Sequence, residues 1–168
     1  MSTLSETVEV RVPAEQLFTW LATLWESGVA LGDPRPGAGV LPAARMGRGF
    51  RLPCGGRRWG LPPDTELEVR DYAEPEGWRA VSRPDAVFSW TVRIAPVAGG
   101  AVLTCVLRHV PAGVVARLRE RLAGQRARRR VLRQLLDVWK TDAERQEALG
   151  RLRVALDVRG PAPPQRRG

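Results

Sequence analysis

The chain has 168 residues, 43% of them hydrophobic, and a formal net charge of +9. That length allows one domain with a sizeable core, and the apolar content excludes a disordered chain. No apolar run approaches the roughly 18–20 residues of a bilayer span, and Met1–Glu15 lacks the basic-then-apolar pattern of a secretory signal, so a cytoplasmic protein with no membrane span is expected.

Thr7–Val12 alternates, with Val8, Val10 and Val12 on one face and Glu9 and Arg11 on the other, which predicts a half-buried strand. Pro13 opens a helix, where its missing N–H costs little. Leu17, Phe18, Trp20, Leu21 and Leu24 follow at helical spacing. Gly28–Ala44 is rich in Gly and Pro and reads as a connection. Strand signals then take over. Gly49–Leu52 is one candidate and Arg57–Gly60 a weaker one, stopped by Pro62 and Pro63. Thr65–Tyr72 alternates, Leu67 and Val69 lying opposite Glu66, Glu68 and Arg70. A turn at Glu74–Gly77 returns the chain as Trp78–Ser82. In Ala86–Ala95, Phe88, Trp90, Val92 and Ile94 share a face. Gly99 and Gly100 mark a hairpin turn. Val102–Val110 completes the hairpin, with Leu103, Cys105, Leu107 and His109 on one face. Short connections make the sheet an antiparallel meander.

The end of the chain is helical, with a break near Gly124. At about 100° per residue, Val131, Leu132, Leu135, Leu136, Val138, Trp139 and Ala143 form an apolar face. Arg126, Arg129, Arg130, Arg133, Asp137, Lys140 and Glu144 fall on the opposite, solvated face. Residues 111–135 hold eight arginines and one acid, whereas the 12 arginines and 12 acids of residues 1–110 cancel. Arg128 breaks the pattern. It lies near the middle of the apolar face, where a cation must reach out along its stem, pair with an acid, or meet a polar ligand. One domain over residues 1–157 is expected, followed by a disordered Pro/Arg tail over 158–168.

The segments VEVRVPAEQLFTWL, WTVRIAPVAGGAVLTCVL and RRRVLRQLLDVWKTDAE, in this order, resemble the polyketide cyclase/dehydrase-like branch of the START-like (SRPBCC, helix-grip) superfamily. The resemblance covers Ser5–Glu147 and rests on diffuse patterns. It departs at Gly32–Pro42 and beyond Glu147. It implies an α+β helix-grip fold, a curved antiparallel sheet of about seven strands wrapped around a long C-terminal helix. It also implies a cavity between sheet and helix for a lipid, polyketide, steroid or other apolar molecule. Large apolar pockets are the usual small-molecule sites. The candidate lining is Phe50, Leu67, Val69, Phe88, Trp90, Val92, Leu103, Leu107, His109, Leu135 and Trp139, with Arg128 at the mouth. The same aromatic rings can equally fill the core.

No metal or cofactor is expected. His109 is the sole histidine and no Cys/His cluster supports zinc. His109 reads as a hydrogen-bonded structural residue or as a polar pocket group that carries a proton. No nucleophile-elbow motif accompanies it. Glu66 and Glu68 share a strand face expected to meet solvent, which argues against catalytic carboxylates. GRGF and PCGG lack the spacing of phosphate loops and fit turns and bulges. Cys54 and Cys105 read as packed or free thiols. The expected function is binding of a small hydrophobic molecule. Beside it stand a polyketide cyclase or dehydratase, with catalytic residues unassigned, and an interaction protein that meets an acidic partner through Arg117–Arg133. No aromatic residue lies between Gly113 and Val138 to stack on bases, so specific nucleic-acid binding is not expected.

Overall fold

The computed structural model describes residues 1–26, 45–54, 59, 61–62, 64–110, 113 and 124–151. The expected connection at Gly28–Ala44, the helix before Gly124 and the tail over 158–168 lie outside the described residues. The elements are β1 (Ser2–Val10), α1 (Ala14–Glu26), β2 (Arg51–Pro53), β3 (Glu66–Ala73), β4 (Gly77–Arg83), β5 (Phe88–Val97), β6 (Gly100–His109) and α2 (Gln125–Ala148). The strands form one antiparallel sheet in the order β1-β6-β5-β4-β3-β2. Six strands are described rather than seven. The weak candidate at Arg57–Gly60 lies outside the described residues except for Trp59, which belongs to no strand. No described helix is long and apolar enough to cross a membrane.

β1 starts five residues earlier than its alternation suggests and pairs with β6 from Ser2 to Val10. The pattern was hidden because Glu6 shares the inner face with Leu4, Val8 and Val10. α1 starts one residue after the predicted proline, whose carbonyl accepts from Leu17 N at 2.9 Å. It buries Leu17, Phe18, Leu21, Ala22 and Trp25. In β3 a register shift between Val69 and Asp71 breaks the alternation. This bulge turns Tyr72 inward beside Trp78 and sets Asp71 opposite Arg79 on the outer face.

α2 crosses the concave side along β1. Its buried stripe is Arg128, Leu132, Leu135, Leu136, Trp139 and Ala143. Val138 was expected in that stripe but is 56% exposed. It sits roughly 100° from Trp139 around the helix, clear of the arc that meets the sheet. The supposedly solvated face needs a larger correction, because half of it docks the helix. Arg129 Nε and Arg133 Nε reach the two oxygens of Glu6 at 2.8 and 3.0 Å. Lys140 Nζ donates to Glu9 O at 2.7 Å, and Glu144 Oε1 accepts from Arg11 N at 3.0 Å. The inward-facing Glu6 is the reason: a carboxylate beneath a helix needs cations brought to it.

Candidate ligand-binding face

Strand register assembles the concave face from single residues of each strand. One row runs Val69, Ala80, Trp90, Leu107 and Leu4 across five strands. A neighbouring row pairs Trp78, Val92 and Cys105. Leu67, Val69, Phe88, Trp90, Val92, Leu103, Leu107, Leu135 and Trp139 are all buried, so every apolar residue proposed from sequence except Phe50 is in the core. Phe50 is half-buried and packs at its margin. His109 ends β6, opposite Ser2 and Phe88, and is partly exposed.

Aromatic rings form a continuous chain over this face. Tyr72 meets Phe18 at 5.5 Å between centroids, Phe18 meets Trp78 at 5.6 Å, and Trp78 meets Trp25 at 5.3 Å. Trp25 then meets Trp90 at 5.8 Å, and Trp90 touches Trp59 at 4.8 Å and Trp139 at 6.2 Å. Nearly all these pairs are edge-to-face, the arrangement that the ring quadrupole favours. Trp25, Trp59 and Trp90 are wholly buried. The indole N–H groups of Trp25, Trp59 and Trp78 have no hydrogen-bond acceptor among the described residues. A buried donor left so costs roughly 1–3 kcal/mol, softened where it points at a neighbouring ring.

Four of these rings escaped the sequence reading, Tyr72 because the β3 bulge reverses its direction. Trp25 continues the Leu17, Leu21 spacing by one more turn, a signal that was available. Trp78 alternates with Ala80 on β4, also legible. Trp59 carries no periodicity and is placed only by tertiary contact.

Arg128 is buried at 7% exposure and does not run out to solvent. Its Nε donates to the backbone carbonyl of Trp59 at 2.7 Å. The arginine thereby ties α2 to the segment whose ring rests on Trp90. Other polar groups here are also engaged: the buried Ser82 hydroxyl accepts from Phe88 N at 3.0 Å. Both cysteines are free and buried. Burial pushes each thiol up to about 12, and for Cys105 the Trp90 indole opposes that rise in part. Such thiols are not nucleophiles near neutral pH.

Glu66 is exposed as expected, but Glu68 is not. On the outer face it is covered by Arg51, Arg70 and Arg83, with Arg51 Nε at 3.5 Å, Arg70 Nε at 3.3 Å and Arg83 in closer hydrogen-bond contact. The Arg83 hydrogen bond, with the charges of all three, holds its carboxyl below the usual carboxylate range. A carboxylate so held is a poor proton carrier at neutral pH.

A curved antiparallel sheet closed by a long C-terminal helix over an aromatic concave face is the helix-grip fold. Solved structures share it. The Aha1 dimer subunit from Colwellia psychrerythraea matches with a TM-score of 0.58 at 10% identity, covering 86% of this chain and 97% of its own. Protein MLL2253 from Mesorhizobium loti matches at 0.54 and 14% identity, covering 86% and 98%. The KanY protein matches at 0.55 and 17% identity, covering 85% and 97%. No model of a known protein family matches the sequence, and no curated protein matches it. At these identities the likeness is one of fold.

Proposed function

We propose that this protein binds a small hydrophobic molecule, lipid-like or polyketide-like, between the sheet and α2. The observation that carries the reading is the chain of tryptophans on the concave face, three of whose indole N–H groups have no acceptor among the described residues. Rings alone would make an ordinary core. Rings with unspent donors suit an apolar molecule bearing carbonyl or hydroxyl oxygens, which would take those hydrogen bonds without adding charge. The fold supports the reading too, since a sheet curved around one helix leaves concave volume that side chains must fill or a ligand can share. Phe50, Leu67, Val92, Leu103 and Leu135 would supply apolar contact. Trp59, Trp90 and Trp139 would part to admit the guest. His109 and Arg128 are the polar candidates at the ends of the face.

The test is mass spectrometry of molecules retained by the purified protein, followed by titration with the neutral dye N-phenyl-1-naphthylamine. Saturable binding with a change in tryptophan emission is the expected result. Absence of both a retained molecule and dye binding refutes the proposal. Turnover of a poly-β-ketone would make the protein a cyclase rather than a carrier.

A further inference from the structure

The outer face of the sheet has a concavity of its own, on the opposite side from the rings. It is an open depression of about 350 Å³ bordered by Asp71, Glu76, Arg79, Thr91, Arg93 and Arg108. Register explains why it exists. Ala73 stands opposite Gly77, and Gly77 opposite Arg93, so two adjacent positions of the outer row carry a methyl group and no side chain. Gly77 cannot be enlarged: at φ +137° an added Cβ would lie 2.0 Å from Val92 O. The β3 bulge places Asp71 beside Arg79, at 3.4 Å, on one border.

That pair uses one carboxylate and one guanidinium. Arg93 and Arg108 are exposed and make no ion pair with any described residue. They stand on either side of Thr91. Arg93 pairs with Thr104 and Arg108 with Ser89, four ladder positions apart, or about 14 Å between backbones at the rise of a strand. Two long side chains can span that gap from both ends and converge above the Thr91 hydroxyl. Guanidinium forks match phosphate oxygens in pairs. The volume is at the small-molecule end of ligand sites, which run from about 300 to 1,000 Å³. The nearby aromatics Tyr72 and Trp78 face inward, so no ring is offered to a base.

We propose that this depression binds a small polyanion with at least two linked phosphates, one held by Arg93 and one by Arg108, with Thr91 between them. The experiment is calorimetric titration of the full chain with inorganic tripolyphosphate. Saturable one-to-one binding is expected. Arg93→Met and Arg108→Met should each weaken it at least about tenfold. Arg93→Lys should fall between, because it keeps the charge and loses the fork. Arg145→Met, at an exposed position of α2, should leave it unchanged. Thermal melts of each variant distinguish lost binding from lost folding. Equal weakening by all of the methionine variants would reduce the effect to net charge and overturn the proposal. So would no binding by the native chain, or binding of an RNA oligonucleotide but not of tripolyphosphate.

Discussion

Single side chains at the centre of the concave face should carry much of the stability. Trp139 is 3% exposed and its ring leans on Trp90. Trp139→Ala should cost about 3–5 kcal/mol in urea unfolding. A loss below about 1 kcal/mol would mean that the ring borders open space. Glu68 makes a different kind of contribution. Its folded pKa is depressed by Arg83, Arg70 and Arg51, so its stabilisation is present above the ordinary carboxylate pKa of about 4.3. It is lost as pH falls through the lower folded value. Glu68→Gln should therefore destabilise the protein at neutral pH, and the difference from the native chain should vanish in acid. A difference that persists at low pH would assign the effect to packing instead. Gly77→Ala should also destabilise, by more than about 1 kcal/mol, because φ and the Val92 carbonyl both oppose a side chain.

At the scale of elements, the question is what holds α2 in place. Two kinds of polar contact do so, and their magnitudes differ. Arg129 and Arg133 are half exposed or more as they clamp Glu6, and such pairs contribute only about 0.2–1 kcal/mol. Arg128 satisfies a carbonyl in the interior. Arg128→Met would strand that acceptor at a cost of about 1–3 kcal/mol. Denaturant unfolding should rank Arg128→Met above Arg133→Met in destabilisation. The reverse order would show that the Glu6 clamp dominates docking. The same geometry changes the view of the arginine run. With Arg129 and Arg133 committed to Glu6, Arg126 and Arg130 are the described arginines of the run without an ion pair to any described residue, so part of the cluster that the sequence offers to an acidic partner is spent within the fold.

For the molecule as a whole, the buried thiols report on the integrity of the fold. Cys54 and Cys105 lie in the same core cluster as the rings, with pKa values pushed up to about 12. Neither should react with iodoacetamide at about pH 8 in the native state, given a free thiol near 8.5. Both should react after unfolding in urea. Native-state labelling of either would show that the concave face opens to solvent, and its suppression by an apolar guest would then locate that guest.

The sequence by itself determined the order of the elements, the inward faces of β5 and β6 and the helix-grip architecture. Alternation in Phe88–Ile94 and helical spacing in Leu132–Trp139 are local patterns, and burial of one face is enough to impose them. Tertiary structure alone decided what those patterns do not encode. Glu6 is tolerated on the inner face of β1 only because a distant helix brings arginines to it. Trp59 enters the ring chain through contact with Trp90 and not through any period of its own. The β3 bulge resets which residues face outward and so creates the arginine-lined depression. Each depends on groups far apart in the chain, whose pairing is set by sheet register and helix docking, and a periodic reading of one segment at a time contains neither.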